Sequence, residues 1–262
     1  MSLVAKSYTS EAGHWYTKDG VPAYTVIGKN GKERNTNLRD AREHSLVPSV
    51  TTIINVAAKH GLTAWLQKQA VLAALTLPRL PEESEDAWLD RVLQDSKQQG
   101  RDAADAGTDI HAAIQASFEG HDIGRHQDHV KAVREALLTH YGNVTWTAER
   151  SFAHELGFGG KSDLYTTDIP AVVDIKSKEF TDPDKVEAYD EHMMQLAAYR
   201  VGLGVHKAVC SNLFVSRNVP GLVVFKHWTE AEMSRGWNMF LNLLEFWQAK
   251  TNSGDPCLLG RT

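Results

Sequence analysis

Residues 171–176 read Ala-Val-Val-Asp-Ile-Lys, a run apolar enough for the inside of a sheet that nevertheless ends in an acid and an amine. Side chains on a strand alternate between faces, so Asp174 and Lys176 share one face while Val173 and Ile175 take the other. Burying two charges is costly unless they are paired or used. Just upstream, Gly157, Gly159 and Gly160 lead into a second predicted strand, 160–167, which carries Asp163. On neighbouring strands Asp163 and Asp174 share a face. Two carboxylates and one ammonium then converge at the edge of an otherwise apolar sheet. On this stretch alone two readings stand, a buried Asp–Lys pair closing a sheet and a reactive site.

The reactive reading has a definite chemistry, hydrolysis of a phosphodiester. One or two carboxylates hold Mg²⁺ or Mn²⁺ while open positions keep water and substrate phosphate. The ion acidifies its water and neutralises charge on the phosphorus oxygens. A lysine alongside orients or deprotonates the attacking water. Two further predicted helices bear on this site. Residues 186–203 place Gln195 and Tyr199 four apart on one face. Residues 101–118 place His111 beside an apolar line of Ala103, Ala106, Ile110, Ala113 and Ser117.

Taken in order, Gly107-Thr108-x-x-His111, Gly160-x-x-Asp163, Asp174-Ile-Lys176 and Gln195-x-x-x-Tyr199 resemble the four motifs of the PD-(D/E)XK nuclease superfamily. More narrowly they are similar to its RecB-like exonuclease branch, which includes phage-type members. The stretch 47–54, Val-Pro-Ser-Val-Thr-Thr-Ile-Ile, resembles the amino-terminal region of those phage members, so the likeness runs over 47–217. Each motif is weak alone; their order makes the signal. The resemblance implies a restriction-endonuclease-like α/β fold. It also implies a metal held by His111, Asp163, Asp174 and the backbone carbonyl of Ile175, with Asp174 where many relatives have Glu. Lys176 would act on the attacking water, and Gln195 and Tyr199 would position the motif strand, the lysine or the DNA backbone. The implied activity is a Mg²⁺/Mn²⁺-dependent DNA exonuclease acting on single- or double-stranded ends in recombination, repair or phage DNA processing. Its implied protein partner is a recombination or single-strand-binding protein. An endonuclease of the same superfamily, whether restriction or junction-resolving, and a non-catalytic DNA-end binding module are the alternatives. No added sequence-reading module favours the former, and every catalytic position is filled by a competent residue, which disfavours the latter.

With two cysteines, Cys210 and Cys257, the chain has neither a disulfide framework nor the four-cysteine iron–sulfur cluster of Cas4-like relatives. No apolar run approaches the length of a membrane span, and the first residues lack the apolar core of a signal peptide. The expected location is therefore the cytoplasm of a bacterial or phage-infected cell, with no membrane partner. At 42% hydrophobic and 23% charged the composition is that of an ordinary globular protein. A formal net charge of −5 runs against nucleic-acid binding. Total charge does not report distribution, so the expectation becomes basic residues gathered along one groove.

Along the chain, 14–27 read as a hairpin turning at Lys18-Asp19-Gly20. Residues 28–44, with Lys29, Lys32, Arg34, Arg39 and Arg42, read as a solvated loop and helix start or as a phosphate-contacting arm. A helix capped by Ser49 or Thr51 runs toward Leu72 with a break near Gly61, followed by a proline-bounded loop over 77–84. An acidic helix over 85–99 completes a helical cap above the groove. Helix 101–118, a histidine-rich connector over 121–129 and a helix over 130–141 follow. Strands then fall near 144–153, 160–167, 171–177, 207–216 and 222–228. A last helix, 229–250, carries a core stripe of Trp237, Phe240, Leu241, Leu244 and Trp247. The expected architecture is one α/β domain over 1–262: an amino-terminal hairpin and helical cap (1–99), a core (100–252) built on a mixed central sheet flanked by helices, and a tail (253–262).

Several residues carry two readings. His121, His126 and His129 match no tetrahedral zinc spacing and read as surface. Trp65 reads as core or as a base-stacking platform. Arg101 and Lys161 are candidate phosphate contacts, and His192, one turn before Gln195, is a candidate for the same groove. Glu149 and Glu155 read as exposed strand acids or as outer ligands of a second ion through water.

Overall fold

The structure is a computed structural model and describes residues 13–253. The amino-terminal part contains β1 (Trp15–Tyr16), β2 (Thr25–Ile27), β3 (Glu33–Asn35), α1 (Leu38–Glu43), β4 (Val47–Pro48), α2 (Val50–Ile54) and α3 (His60–Thr76). The expected hairpin over 14–27 is only half right. A tight turn forms at Lys18–Gly20, with Gly20 at φ +82°, and Ala23 N–H reaches Trp15 O at 2.8 Å. Strand β2, however, pairs with β3, and β1 pairs with β4. Arg34 donates twice to Asp40, at 2.6 and 2.8 Å, which ties β3 to the start of α1. Ser49 caps α2 by accepting from Thr52 N–H at 3.0 Å.

Helix α4 (Glu85–Glu119) follows the loop as one unbroken rod of 35 residues. Two helices meeting near Gly100 were expected. A helix-interior glycine costs only about 1 kcal/mol relative to alanine, and here the ring of Trp65 on α3 lies against it. Ser84 caps one end, and Gly120, at φ +77°, closes the other. Helix α5 (Gln127–Tyr141) buries His129, whose Nε2 lies 3.2 Å from Ser216 O, so that histidine is a core residue rather than a surface one.

The central sheet is formed by β5 (Thr147–His154), β6 (Phe158–Thr166), β7 (Ala171–Lys178), β8 (Val209–Ser216) and β9 (Val223–Trp228), in that spatial order. All neighbours are antiparallel except β7 and β8, which run parallel and are joined by a 3₁₀ turn at Pro183–Lys185 and α6 (Asp190–Gly202). A parallel pair requires such a crossover. Helix α6 starts four residues later than expected because Val186 is extended and His192 reaches back to accept from Tyr189 N–H. Helix α7 (Glu230–Thr251) begins with a reciprocal Thr229/Glu232 cap.

Strand alternation divides the core into two layers. Val173, Ile175, Leu213 and Val215 face Ile110 and Ile114 of α4 and Val133 of α5. Val172 and Cys210 face Met193 and Leu196 of α6 and Phe240 and Leu244 of α7. On α7 the stripe runs through Met233, Phe240, Leu244 and Trp247, with Leu241 only half-buried. This is a mixed sheet flanked by helices on both faces, the architecture of the restriction-endonuclease-like class. Cys257 lies outside the described residues, as does the tail beyond Ser253. Among the described residues no helix is long and apolar enough to cross a membrane.

Candidate active site

Pairing between β6 and β7 stops at Leu164–Val173, and the next residues in register are Asp163 and Asp174. The strands fork there, leaving the N–H of Ile175 without a ladder partner. Asp163 supplies one, its Oδ2 accepting from Ile175 N–H at 2.6 Å. A buried backbone donor must be satisfied, and a carboxylate inserted into the fork satisfies it. Across the parallel ladder Asp174 lies opposite Asn212, whose Nδ2 donates to Asp174 Oδ2 at 2.7 Å. Asn212 Oδ1 accepts in turn from Trp228 Nε1 at 2.7 Å. The other oxygen of Asp174 accepts from Lys176 Nζ at 2.9 Å, and that ammonium also donates to Gln195 Oε1 at 3.1 Å. Gln195 Nε2 donates to the Tyr199 hydroxyl at 2.9 Å. The i, i+4 pair on α6 thus fixes the lysine from the far side.

His111 enters from α4, its Nε2 3.1 Å from Asp163 Oδ2. Two glycines permit these approaches. A Cβ on Gly107 would collide with Ser177 Oγ, so its absence lets α4 lie directly on β7 one turn before His111. A Cβ on Gly160 would stand 2.8 Å from the rings of both Phe152 and Tyr199.

Glu149 completes the cluster. It sits opposite Asp163 in the β5–β6 register, pairs with Lys161, and has φ +55°, a left-handed conformation that non-glycine residues adopt at a cost. His111, Glu149 and Asp163 each offer a ligand atom, and these atoms lie within 4.8 Å of one another. They line an open cleft of about 690 Å³ together with Lys161, Lys176 and Arg217. Arg217 is steadied by the Ser177 carbonyl, to which its Nη1 donates at 3.2 Å.

The electrostatics follow from two carboxylates placed side by side. Burial pushes Asp174 up to about 6, and the neighbouring Asp163 charge adds to that against the pull of Lys176. Asp163 is buried too, yet His111 and Lys176 hold it below the usual carboxylate range. One member of a like-charged pair rises while the other stays ionised. Burial alone would lower His111 and Lys176. The Asp163 carboxylate more than offsets this for His111, which is raised to about 9, and Asp174 does the same for Lys176.

Of the expected site residues, His111, Asp163 and the Ile175 N–H make one set of contacts, and Asp174, Lys176, Gln195 and Tyr199 a second, the two joined through the backbone of β7. Lys161 stands at the cleft wall, whereas Asp174 is buried behind it, both its oxygens taken by Lys176 and Asn212, and lies outside the His111–Glu149–Asp163 cluster. His192 stands apart. It is buried, its ring lies against Phe214, and burial with the nearby lysines pulls its pKa down to about 3. Trp65 is half exposed on α3 over Gly100 and is not a cleft residue. Glu155 lines a different hollow beside Trp15 and Trp247. The side chain of Arg101 lies outside the described residues. Sequence reasoning missed Asn212 and Arg217, which sit in a predicted strand and just beyond it with no local signal.

No family model matches the chain, and no curated protein matches it. Among solved structures, a candidate exonuclease from Eubacterium rectale superposes with a TM-score of 0.39 at 14% identity, covering 60% of this chain and 75% of its own. A protein designated SSO0001 superposes with a TM-score of 0.26 at 17% identity, covering 43% of this chain and 55% of its own. Likenesses this distant carry no argument about chemistry, which rests on the geometry.

Proposed function

We propose that the chain is a metal-dependent deoxyribonuclease of the PD-(D/E)XK type, acting as an exonuclease at DNA ends in recombination, repair or phage DNA processing. The observation that carries this reading is the meeting of His111, Glu149 and Asp163 at the mouth of the fork. An imidazole nitrogen and two carboxylates lie within 4.8 Å, beside an ammonium and in an open cleft. Carboxylates with one imidazole and no thiolate suit Mn²⁺ or Mg²⁺. His111, Asp163 and Glu149 would hold the ion with the Ile175 carbonyl, and Asp174 would join them by giving up its contact with Lys176. A bound ion supplies an acidified water and neutralises charge on the phosphorus oxygens.

The chain's own residues do the rest. Without an ion, Asp174 and Asp163 hold Lys176 above the ordinary lysine range against the effect of burial, and from that place the ammonium would orient the attacking water and balance charge. Gln195 fixes the direction of the ammonium, and Tyr199 fixes Gln195. Asn212 holds Asp174 against rotation. Lys161 and Arg217 flank the cleft as phosphate contacts, which gives an acidic protein a local basic wall.

The test is digestion of end-labelled linear DNA and of circular DNA, with Mg²⁺, Mn²⁺ or a chelator present. Loss of linear DNA alone, dependent on the ion, is the expected result. Nicking of circles would replace this reading with an endonuclease, and binding without turnover would replace it with a DNA-end binding module. A site of this kind should bind DNA in Ca²⁺ without cutting it, because Ca²⁺ accepts looser geometry and acidifies water less.

A further inference from the structure

The stretch 47–54 supplies no residue to the cleft, yet it holds one in place. Strand β4 pairs with β1, Trp15 opposite Pro48 and Tyr16 opposite Val47. Ser49 N–H donates to the His14 carbonyl at 2.8 Å, and Ser49 forms a parallel bridge with Gly159 on β6, four residues before Asp163. A Cβ on Gly159 would stand 2.9 Å from Tyr16 Cγ, so the glycine lets the Tyr16 ring lie on the strand. Residues 14–16 are thereby clamped to the strand that carries Asp163. Among the described cleft residues, His14 alone comes from the amino-terminal part. Its ring is stacked on Tyr24, with centroids 4.6 Å apart and planes 29° from parallel. The Tyr24 hydroxyl meets that of Tyr16 at 2.7 Å, and the buried Tyr16 ring stands edge-on to Tyr24. Three rings thus make a ladder from the core to an exposed imidazole at the cleft.

We propose that His14 is the stacking platform for an unpaired base at the DNA end being cut. This rests on the nuclease reading above and narrows its substrate to an end with at least one unpaired nucleotide. Stacking on an aromatic ring tolerates any sequence, because every base has a π-face. It needs a ring held in a fixed direction, and Tyr24, tied to Tyr16, holds the imidazole so. Among the described residues Tyr24 makes the one ring contact of His14, which leaves the other face for a base. The phosphates beside such a base would meet Lys161 and Arg217 in the same cleft, and Lys161 lies within electrostatic reach of the Tyr24 hydroxyl. A base inside a duplex has both faces covered by its neighbours and must leave the stack before a side chain can take one.

Binding of the full chain to labelled single strands in Ca²⁺, followed by fluorescence anisotropy, tests this. The probes are a short oligothymidylate and an abasic sugar–phosphate strand of equal length. His14→Ala should raise the dissociation constant for the oligothymidylate by about tenfold, within the range that one base stack supplies. His14→Phe should bind it nearly as the parent does, since a stack needs a ring and not a ring nitrogen. Residue 14 joins the fold through its backbone carbonyl, so both variants keep the Ser49 contact. On the abasic strand His14→Ala and the parent should bind alike. In Mg²⁺ the parent should degrade the oligothymidylate faster than a blunt duplex, and the reverse order overturns the proposal. So does a His14→Ala protein with the parent's affinity for oligothymidylate. Equal losses on the two strands, or equal losses from Ala and Phe, also overturn it, because the imidazole then serves a phosphate. The nuclease reading falls separately, if the parent cuts no DNA with Mg²⁺ or Mn²⁺. A parent that cuts yet binds both strands alike keeps the activity and loses the platform.

Discussion

The two halves of α4 make opposite use of the same secondary structure. Its second half buries Ile110 and Ile114 against the sheet and delivers His111 to the fork of β6 and β7. Its first half holds Leu89 and Leu93 out into solvent beside α3. Helical spacing of leucine or isoleucine is present in both, so the helix is equally well specified along its length. What differs is whether a sheet returns to cover it. Rigidity, and the ability to hold a charged group in place, come from that cover, so the proposed site sits at the packed end.

The largest effects should fall on the packed half. Lys176→Ala should lower cleavage by about 10²–10⁴-fold, and Asp163→Asn by at least as much, with unfolding midpoints close to the parent. Leu93→Gln on the open half should leave the rate per site unchanged. Equal losses from both would erase the distinction. Next comes Asn212→Ala, which strands the Trp228 N–H and one oxygen of Asp174 inside the sheet. It should cost about 1–3 kcal/mol in urea unfolding, a penalty that a polar substitution on the open half does not incur.

A smaller effect is tied to pH. His111 titrates near 9 in the folded protein against about 6.5 unfolded. Its ion pair with Asp163 is therefore fully stabilising below pH 6.5 and is lost as pH rises through 9. With the side chain 33% exposed, the loss for the metal-free protein should be about 1–2 kcal/mol. Chemical unfolding at pH 6 and pH 9.5 measures it, and His111→Gln should flatten the difference. A wild-type profile already flat over that range would remove the ion pair from the account.

Glycines give the finest comparison. Gly61 on α3 has open space where a Cβ would go, so Gly61→Ala should stabilise by about 0.5–1 kcal/mol. Gly107→Ala, facing Ser177 Oγ, should instead slow cleavage, and Ser177→Gly should restore part of the loss. If Gly107→Ala is as benign as Gly61→Ala, α4 does not need that close approach.

Much of the layout was legible in the linear chain. Residues 171–176 announced a buried strand, period-two alternation put Asp174 and Lys176 on one face, and the Gln195/Tyr199 spacing put both on one side of a helix. Local breaks were less legible. A glycine at position 100 suggested two helices, because a propensity cost is visible in sequence while the long-range packing that absorbs it is not. His129 looked like a surface residue within a polar connector until a carbonyl 87 residues away came within reach. Glu149 carried no more signal than any exposed strand acid. Its left-handed backbone and its place opposite Asp163 exist only once β5 is paired.

By itself the sequence determined most of the core elements from residue 101 on, their order and the chemical character of the groups meant to meet, because periodicity and residue type are local properties. Tertiary structure alone decided which of those groups face one another. The fork where β6 leaves β7, the clamp of Asn212 on Asp174 and the uncovered leucines of the α3–α4 arm all depend on contacts between residues far apart in the chain. No local pattern encodes them, because their free energies arise only when distant surfaces are brought together and desolvated.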